Sequence, residues 1–195
     1  MGRRSDHSRG ELEALIVEEG WRQMAEVGFA RFSAREVAKR IGYSIGTLYN
    51  VFGSLDGLVL AINARTLVAW AGHLRLQLAA AGEDRIGALV RGYFDFATDN
   101  YNAWAALYDH RLPDGAPAPG WYQDLAADLI AIVAAEIAAA VPERARGAAV
   151  PLARSLVATV HGHCVYALNR TFRLLGEAAP LDAALARVRE AIAAA

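Results

Sequence analysis

The chain has 195 residues, 55% of them hydrophobic and 21% charged, with a formal net charge of −1 at pH 7. That much apolar material can bury a core and excludes a disordered chain, while the near-zero charge gives no bulk attraction for nucleic acid. The apolar excess is Ala, Leu, Val and Ile at helical rather than alternating spacing, which predicts an all-α fold.

The charges are unevenly placed. Residues 1–10 carry Arg3, Arg4 and Arg9 against Asp6, and residues 27–55 carry Arg31, Arg35, Lys39 and Arg40 against Glu36. Between them, Glu11, Glu13, Glu18, Glu19 and Glu26 oppose only Arg22. Two basic patches thus flank an acidic helix face, which suits an anion-binding edge on a neutral domain. The run Met1-Gly2-Arg3-Arg4-Ser5-Asp6 is not followed by an unbroken apolar segment, so no secretory leader is expected.

A first helix is predicted from about Ser8 to Val27, with Leu12, Leu15, Ile16, Trp21 and Met24 on one face and Gly28 as its stop. At Phe32-Ser33-Ala34-Arg35-Glu36-Val37 the Ser33 hydroxyl can cap the Glu36 amide while the Glu36 carboxylate reaches back to Ser33. Phe32 and Val37 supply a hydrophobic staple. This second helix runs through Ile41 to Gly42, whose missing β-carbon permits a left-handed turn. Ser44 can cap a third short helix reaching about Val51, and Gly53-Ser54 breaks the chain before a long helix from Leu55 toward Ala80. Two short helices joined by a glycine-containing turn form a helix-turn-helix.

These residues carry a resemblance. Gly28-Phe29-Ala30-Arg31-Phe32-Ser33, then Glu36 through Phe52 in order, and Leu58, resemble the TetR family of repressors over about thirty residues. The resemblance implies a DNA-binding domain in residues 1–54 and a helical effector-binding and dimerisation domain in residues 55–195. A recognition helix needs one face anchored and one face slim or polar enough to meet base edges. Leu48 and Phe52 are the anchors, and Gly46, Thr47, Tyr49 and Asn50 are expected outward. Thr47 and Asn50 are the candidates for base readout. The resemblance gives Tyr49 a phosphate or sugar contact, and Ile45 meets either a thymine methyl or the core. Arg35 and Lys39, one turn apart, suit backbone phosphates, as do Ser33 and Ser44 at helix N-termini. Arg3 and Arg4 suit a basic arm along the duplex. Where the family usually carries lysine at the start of the fourth helix, this chain has Leu55.

Further helices are expected near 84–100, 103–110, 121–141, 151–174 and 181–194. Between them, residues 112–120 hold three prolines and two glycines and read as a loop. The longest apolar stretches, 125–141 and 148–168, are interrupted by Asp128 and Glu136, and by Arg154, His161 and His163, so neither reads as a membrane span. The lone Cys164 cannot form an intrachain disulfide, and a cytoplasmic location is expected. A small-molecule cavity is expected among Tyr93, Phe96, Trp104, Tyr108, His110, Trp121, His161, Cys164 and Tyr166, because helical domains commonly hold ligands in apolar pockets with a few polar groups.

Residues i and i+2 of a helix face opposite ways, so His161 and His163 cannot share one ion and no metal is expected. No cofactor fingerprint and no acid–base constellation accompany Cys164, so no cofactor and no catalysis are expected. Val160-His161-Gly162 resembles, in its last two residues alone, the tryptophan-histidine-glycine signature of one TetR subgroup.

The resemblance further implies a homodimer joined through the helices near 121–141 and 151–174. Ala131, Ala134, Ala135 and Ala138 would allow close approach. Two recognition helices would then read a palindromic operator, and an effector would release it by shifting their spacing. Two other readings stand beside this one: a helical protein-interaction module without DNA binding, and an enzyme using the C-terminal pocket. The helix-turn-helix separates both from a repressor.

Overall fold

The computed structural model describes residues 7–113 and 116–195. Arg3 and Arg4 of the expected arm, and Asp114 and Gly115 of the expected loop, lie outside the described residues. Those residues form ten α-helices and no strand: α1 Arg9–Val27, α2 Ala34–Ile41, α3 Ile45–Phe52, α4 Leu55–Ala79, α5 Arg85–Asp99, α6 Tyr101–Asp109, α7 Gly120–Ala140, α8 Ala149–Leu168, α9 Thr171–Leu175 and α10 Pro180–Ala193. The all-α expectation holds. The chain divides into two compact units, residues 1–67 with 100–122, and residues 68–99 with 123–195.

In the first unit, α1 opens on a full capping box, with the Ser8 hydroxyl accepting from the Glu11 amide and the Glu11 carboxylate from the Ser8 amide. That bond holds the Glu11 carboxyl below its usual range. The α2 N-terminus is built differently from the sequence expectation. Ser33 Oγ accepts from the Glu36 amide, but the amide of Ser33 donates to Gln23 Oε1 of α1 at 2.9 Å. The Glu36 carboxylate turns outward to Lys39 and Arg40, so the expected reciprocal cap is only half formed. The long-range partner wins because Gln23 is buried at 2% exposure and needs a donor there.

At its other end α2 stops in a Schellman turn. The Tyr43 amide reaches Ala38 O at 2.9 Å, the Gly42 amide reaches Lys39 O at 3.2 Å, and Gly42 sits at φ +77°. A core of Ile16, Met24, Val37, Ala38, Leu48, Leu58, Val59, Ile62 and Ala106 holds α1 to α4 and α6 together. Helix α4 begins so close to α3 that a β-carbon on Gly57 would lie 2.2 Å from the Phe52 carbonyl oxygen.

Helix α6 belongs to this first unit through specific bonds. Asn102 Nδ2 donates to Ala25 O at 2.8 Å, Asn63 Nδ2 to Ala106 O at 3.2 Å, and His110 Nε2 meets Asp56 Oδ1 at 2.9 Å.

In the second unit α5, α8 and α10 pack on one another. Helix α7 is tied to α5 by a two-pronged ion pair, Arg85 to Glu136, at 2.6 Å for each prong. Asp84, at the head of α5, accepts from Arg91 and from Arg189 of α10, each at 3.0 Å, and these partners lower its pKa. The single helix expected over 151–174 is instead two. Helix α8 ends at Leu168, Arg170 turns left-handed at φ +64°, and the Thr171 amide donates to Asn169 Oδ1 at 2.9 Å before α9 begins. An asparagine side chain that bonds the backbone two residues on competes with helix continuation, which apolar periodicity alone does not register. Helix α4 is long and apolar enough to cross a membrane by length and composition, with 56% of its apolar stretch buried.

Candidate nucleic-acid interface and effector cavity

The recognition helix arises from one cap and one anchor. Ser44 Oγ accepts from the Thr47 amide at 3.1 Å and starts α3, and Leu48 is wholly buried beneath it. Those two constraints fix which face of α3 looks outward. Gly46 and Asn50 are exposed, Tyr49 is 39% exposed, and Thr47 is half-buried. Ile45 packs partly against the core, as do Val51 and Phe52. The Thr47 hydroxyl is shared with Ser44 Oγ at 2.9 Å, so its orientation is set by the cap.

On α2, Arg35 and Lys39 are both exposed, and Ser33 is half-buried at the helix N-terminus. Lys39 Nζ lies 3.6 Å from Glu36 with 78% of its side chain exposed. A pair that open contributes little and does not hold the lysine. Arg40 is different. Its guanidinium contacts Glu26 at 2.9 Å, Glu19 at 3.2 Å and Glu36 at 3.4 Å, and these bonds raise its pKa further. Arg31 donates to Val27 O at 3.1 Å. Of the four cations counted in this stretch, Arg35 and Lys39 therefore remain best placed for an anion outside the protein. The acidic face of α1 is the counter-charge that binds Arg40 inward, a pairing across 14 and 21 residues that local charge counting does not reveal.

The aromatic and polar residues expected around one cavity are distributed over both units. Trp104, Tyr108, His110 and Trp121 lie in the first. Trp104 is buried with Tyr108 at its edge, 5.4 Å between ring centroids, while Tyr108 and Trp121 are exposed. His110 sits between Asp56 and the Phe29 ring. Tyr122, beside Trp121 in the aromatic cluster of the sequence, is half-buried near Tyr108, and burial first, then Tyr108, raises its pKa.

Tyr93, Phe96, His161, Cys164 and Tyr166 lie in the second unit. Phe96 stacks parallel on Trp70 at 5.4 Å, and Tyr93 meets Trp70 edge-on at 4.8 Å. Tyr166 is exposed and packs edge-on against Phe172. Cys164 is wholly buried, and burial pushes its thiol up to about 12, which keeps it a protonated packing group rather than a nucleophile. His161 and His163 diverge as their spacing requires, one to Tyr93 Oη at 2.8 Å and the other to Thr159 O at 2.8 Å.

A cavity of about 40 Å³ lies inside the second unit. Its wall is Leu74 of α4, Ile86, Leu89, Val90 and Tyr93 of α5, Val133 and Ile137 of α7, Leu156, Val157 and Val160 of α8, and Val188 of α10. Of the expected ligand contacts only Tyr93 lines it directly, with His161 behind as that tyrosine's hydrogen-bond partner. The aliphatic lining escaped sequence reading because Val and Leu on buried helix faces carry no mark that separates wall from core.

Comparison with known proteins joins these two features. Residues 16–62 match the family model for bacterial regulatory proteins of the tetR family, and residues 86–192 match that for the Tetracyclin repressor-like C-terminal domain. Among curated proteins, the HTH-type transcriptional regulators Rv1816 of Mycobacterium tuberculosis and Mb1846 of Mycobacterium bovis are each 32% identical over 126 residues. That stretch covers 63% of this chain and 51% of each relative, so the match spans about half their length. Among solved structures, SCO4313, a regulatory-protein candidate, aligns with a TM-score of 0.71 at 25% identity, covering 92% of this chain and 96% of that one. The multidrug binding protein EbrR, complexed with imidazole, shares the fold with a TM-score of 0.63 at 21% identity, covering 95% and 96%.

Proposed function

The chain belongs to the TetR family of bacterial regulatory proteins, and from that premise we propose that it is a cytoplasmic, homodimeric transcriptional repressor released from a palindromic operator by a small molecule. The observation that carries this reading is α3. Its buried Leu48 fixes a slim outer face of Gly46, Tyr49 and Asn50, beside two exposed cations on α2. In this reading Asn50 reads a base, since its amide can bond adenine at two points, and Thr47 adds a methyl and a cap-oriented hydroxyl. Tyr49, Arg35, Lys39 and the N-termini at Ser33 and Ser44 hold phosphates and set the register.

Residues 1–54 serve as the DNA-binding domain and residues 55–195 as the effector and dimerisation domain. One recognition helix spans too few base pairs to be selective, so two copies related by a two-fold axis read an inverted repeat. Helices α7 and α8 supply the dimer face, where Ala131 and Ala135 of α7 are exposed. Effector in the cavity favours a spacing of the two recognition helices that misses successive major grooves. Helix α4 is the coupling element, because its Leu58 packs in the core beneath α3 and its Leu74 lines the cavity. Selection from random duplexes tests the reading. It predicts an inverted repeat with half-site centres one helical turn or a multiple apart, and recovery of no preferred duplex would contradict it.

A further inference from the structure

The wall of the cavity is ten aliphatic side chains and one tyrosine, and no lining residue carries a charge. The one hydroxyl on it, Tyr93 Oη, is hydrogen-bonded to His161 Nδ1 at 2.8 Å. Burial lowers the pKa of His161, so the imidazole behind that hydroxyl is held neutral. The ion pairs among the described residues of this unit, Arg85 with Glu136, Asp84 with Arg91 and Arg189, and Arg187 with Glu190, use residues outside the cavity wall. We propose that the effector of this chain is a small, uncharged, mainly hydrocarbon molecule, and that the site rejects cations and anions of the same size. The proposal rests on the reading of the C-terminal domain as the effector domain and adds the chemistry of what it takes.

The physical reason is desolvation. A hydrocarbon entering an aliphatic cavity loses nothing it had in water, whereas an ammonium or carboxylate loses its hydration and meets no counter-charge on the wall. Enclosed apolar cavities accept small hydrocarbons, and this wall offers the same aliphatic lining. At about 40 Å³ the cavity takes only a few heavy atoms before side chains shift. Ile86, Val133 and Val157 are the lining residues that retain partial exposure, so the wall yields there and ligand passes between α5, α7 and α8.

Three probes built on one benzene ring and carrying three different charges decide the matter: toluene, benzylammonium and benzoate. Each is titrated calorimetrically into the full-length protein at pH 7, with melting temperature as a second readout. Toluene is expected to raise the melting temperature and to bind at least about 100-fold more tightly than either ion, the penalty for an unpaired buried charge being that large. Val157→Phe fills the cavity and is expected to abolish toluene binding. Should that variant fail to fold, Val133→Leu, one methylene larger, must weaken it. Charged probes binding as well as toluene, toluene affinity unchanged in the folded variants, or no toluene binding at all would overturn the proposal. Affinity for the selected duplex, measured on the same samples without probe, separates the two readings. Lost duplex binding alongside intact toluene binding counts against the repressor, and the reverse counts against the ligand class.

Discussion

Gly46 stands second in α3, and nothing among the described residues demands a glycine there. Of those residues, a β-carbon at that position would meet only Ser44 Oγ, at an ordinary 3.6 Å, and its φ is not in the left-handed region. Glycine in a helix weakens it by up to about 1 kcal/mol relative to alanine, so the residue is explained by what must approach from outside. Gly46→Ala should leave the melting temperature unchanged or raise it while weakening operator binding, a combination read by calorimetry and a binding isotherm on one sample. A variant that binds DNA as well as the parent would show that the backbone of α3 does not come close to the duplex.

Leu55 makes a second residue-scale case. At 46% exposure it is no core residue, and Ser54 Oγ already accepts the Gly57 amide at the start of α4. Leu55→Lys should therefore fold with stability within about 0.5 kcal/mol of the parent. It should also tighten DNA binding, with a salt slope steeper by about one unit per half-site. A stable variant with unchanged affinity and slope would mean that no phosphate passes the α4 N-terminus.

At the scale of elements, the Ser44 cap of α3, the Gly28 and Gly42 stops at positive φ, and Leu48 as anchor were legible because each rests on chemistry local to a few residues. What sequence reading missed was set by partners far along the chain. The Ser33 amide goes to Gln23 rather than to Glu36, and the helix expected over 151–174 breaks at Asn169 and Arg170. The one available signal for the first was Gln23 itself, a polar residue beside Met24 on the apolar side of α1. The candidate site divides in the same way. The outward face of α3 could be read from residue order, but the cavity wall could not, because aliphatic packing in the second unit looks like any helical core. The reassigned cap has a measurable consequence. Gln23→Ala leaves the Ser33 amide without its partner and should cost about 1–3 kcal/mol in urea unfolding. Glu36→Ala removes only exposed pairs and should cost less than about 1 kcal/mol. Equal losses, or the reverse order, would restore the reciprocal cap.

For the whole molecule, a formal charge of −1 makes DNA affinity a matter of where cations stand rather than how many there are. The Arg40 cluster sharpens that point, since Glu19, Glu26 and Glu36 remove one of the four cations of residues 27–55 and leave Arg35 and Lys39 at the edge. In the proposed reading, contacts that hold the duplex are separate from contacts that read it. The measurement that tests this most directly is the salt dependence of binding to the selected duplex for the parent, Lys39→Ala and Asn50→Ala. With about six to ten phosphates neutralised per dimer, parent affinity should fall on the order of a thousandfold or more between about 50 and 200 mM salt. Lys39→Ala should weaken matched and mismatched duplexes alike and flatten the slope. Asn50→Ala should keep the slope, cost about 1–3 kcal/mol on the matched duplex and relax its preference. Salt-independent binding, or exchanged effects of the two substitutions, would contradict the assignment of α3 to base readout and α2 to the phosphates.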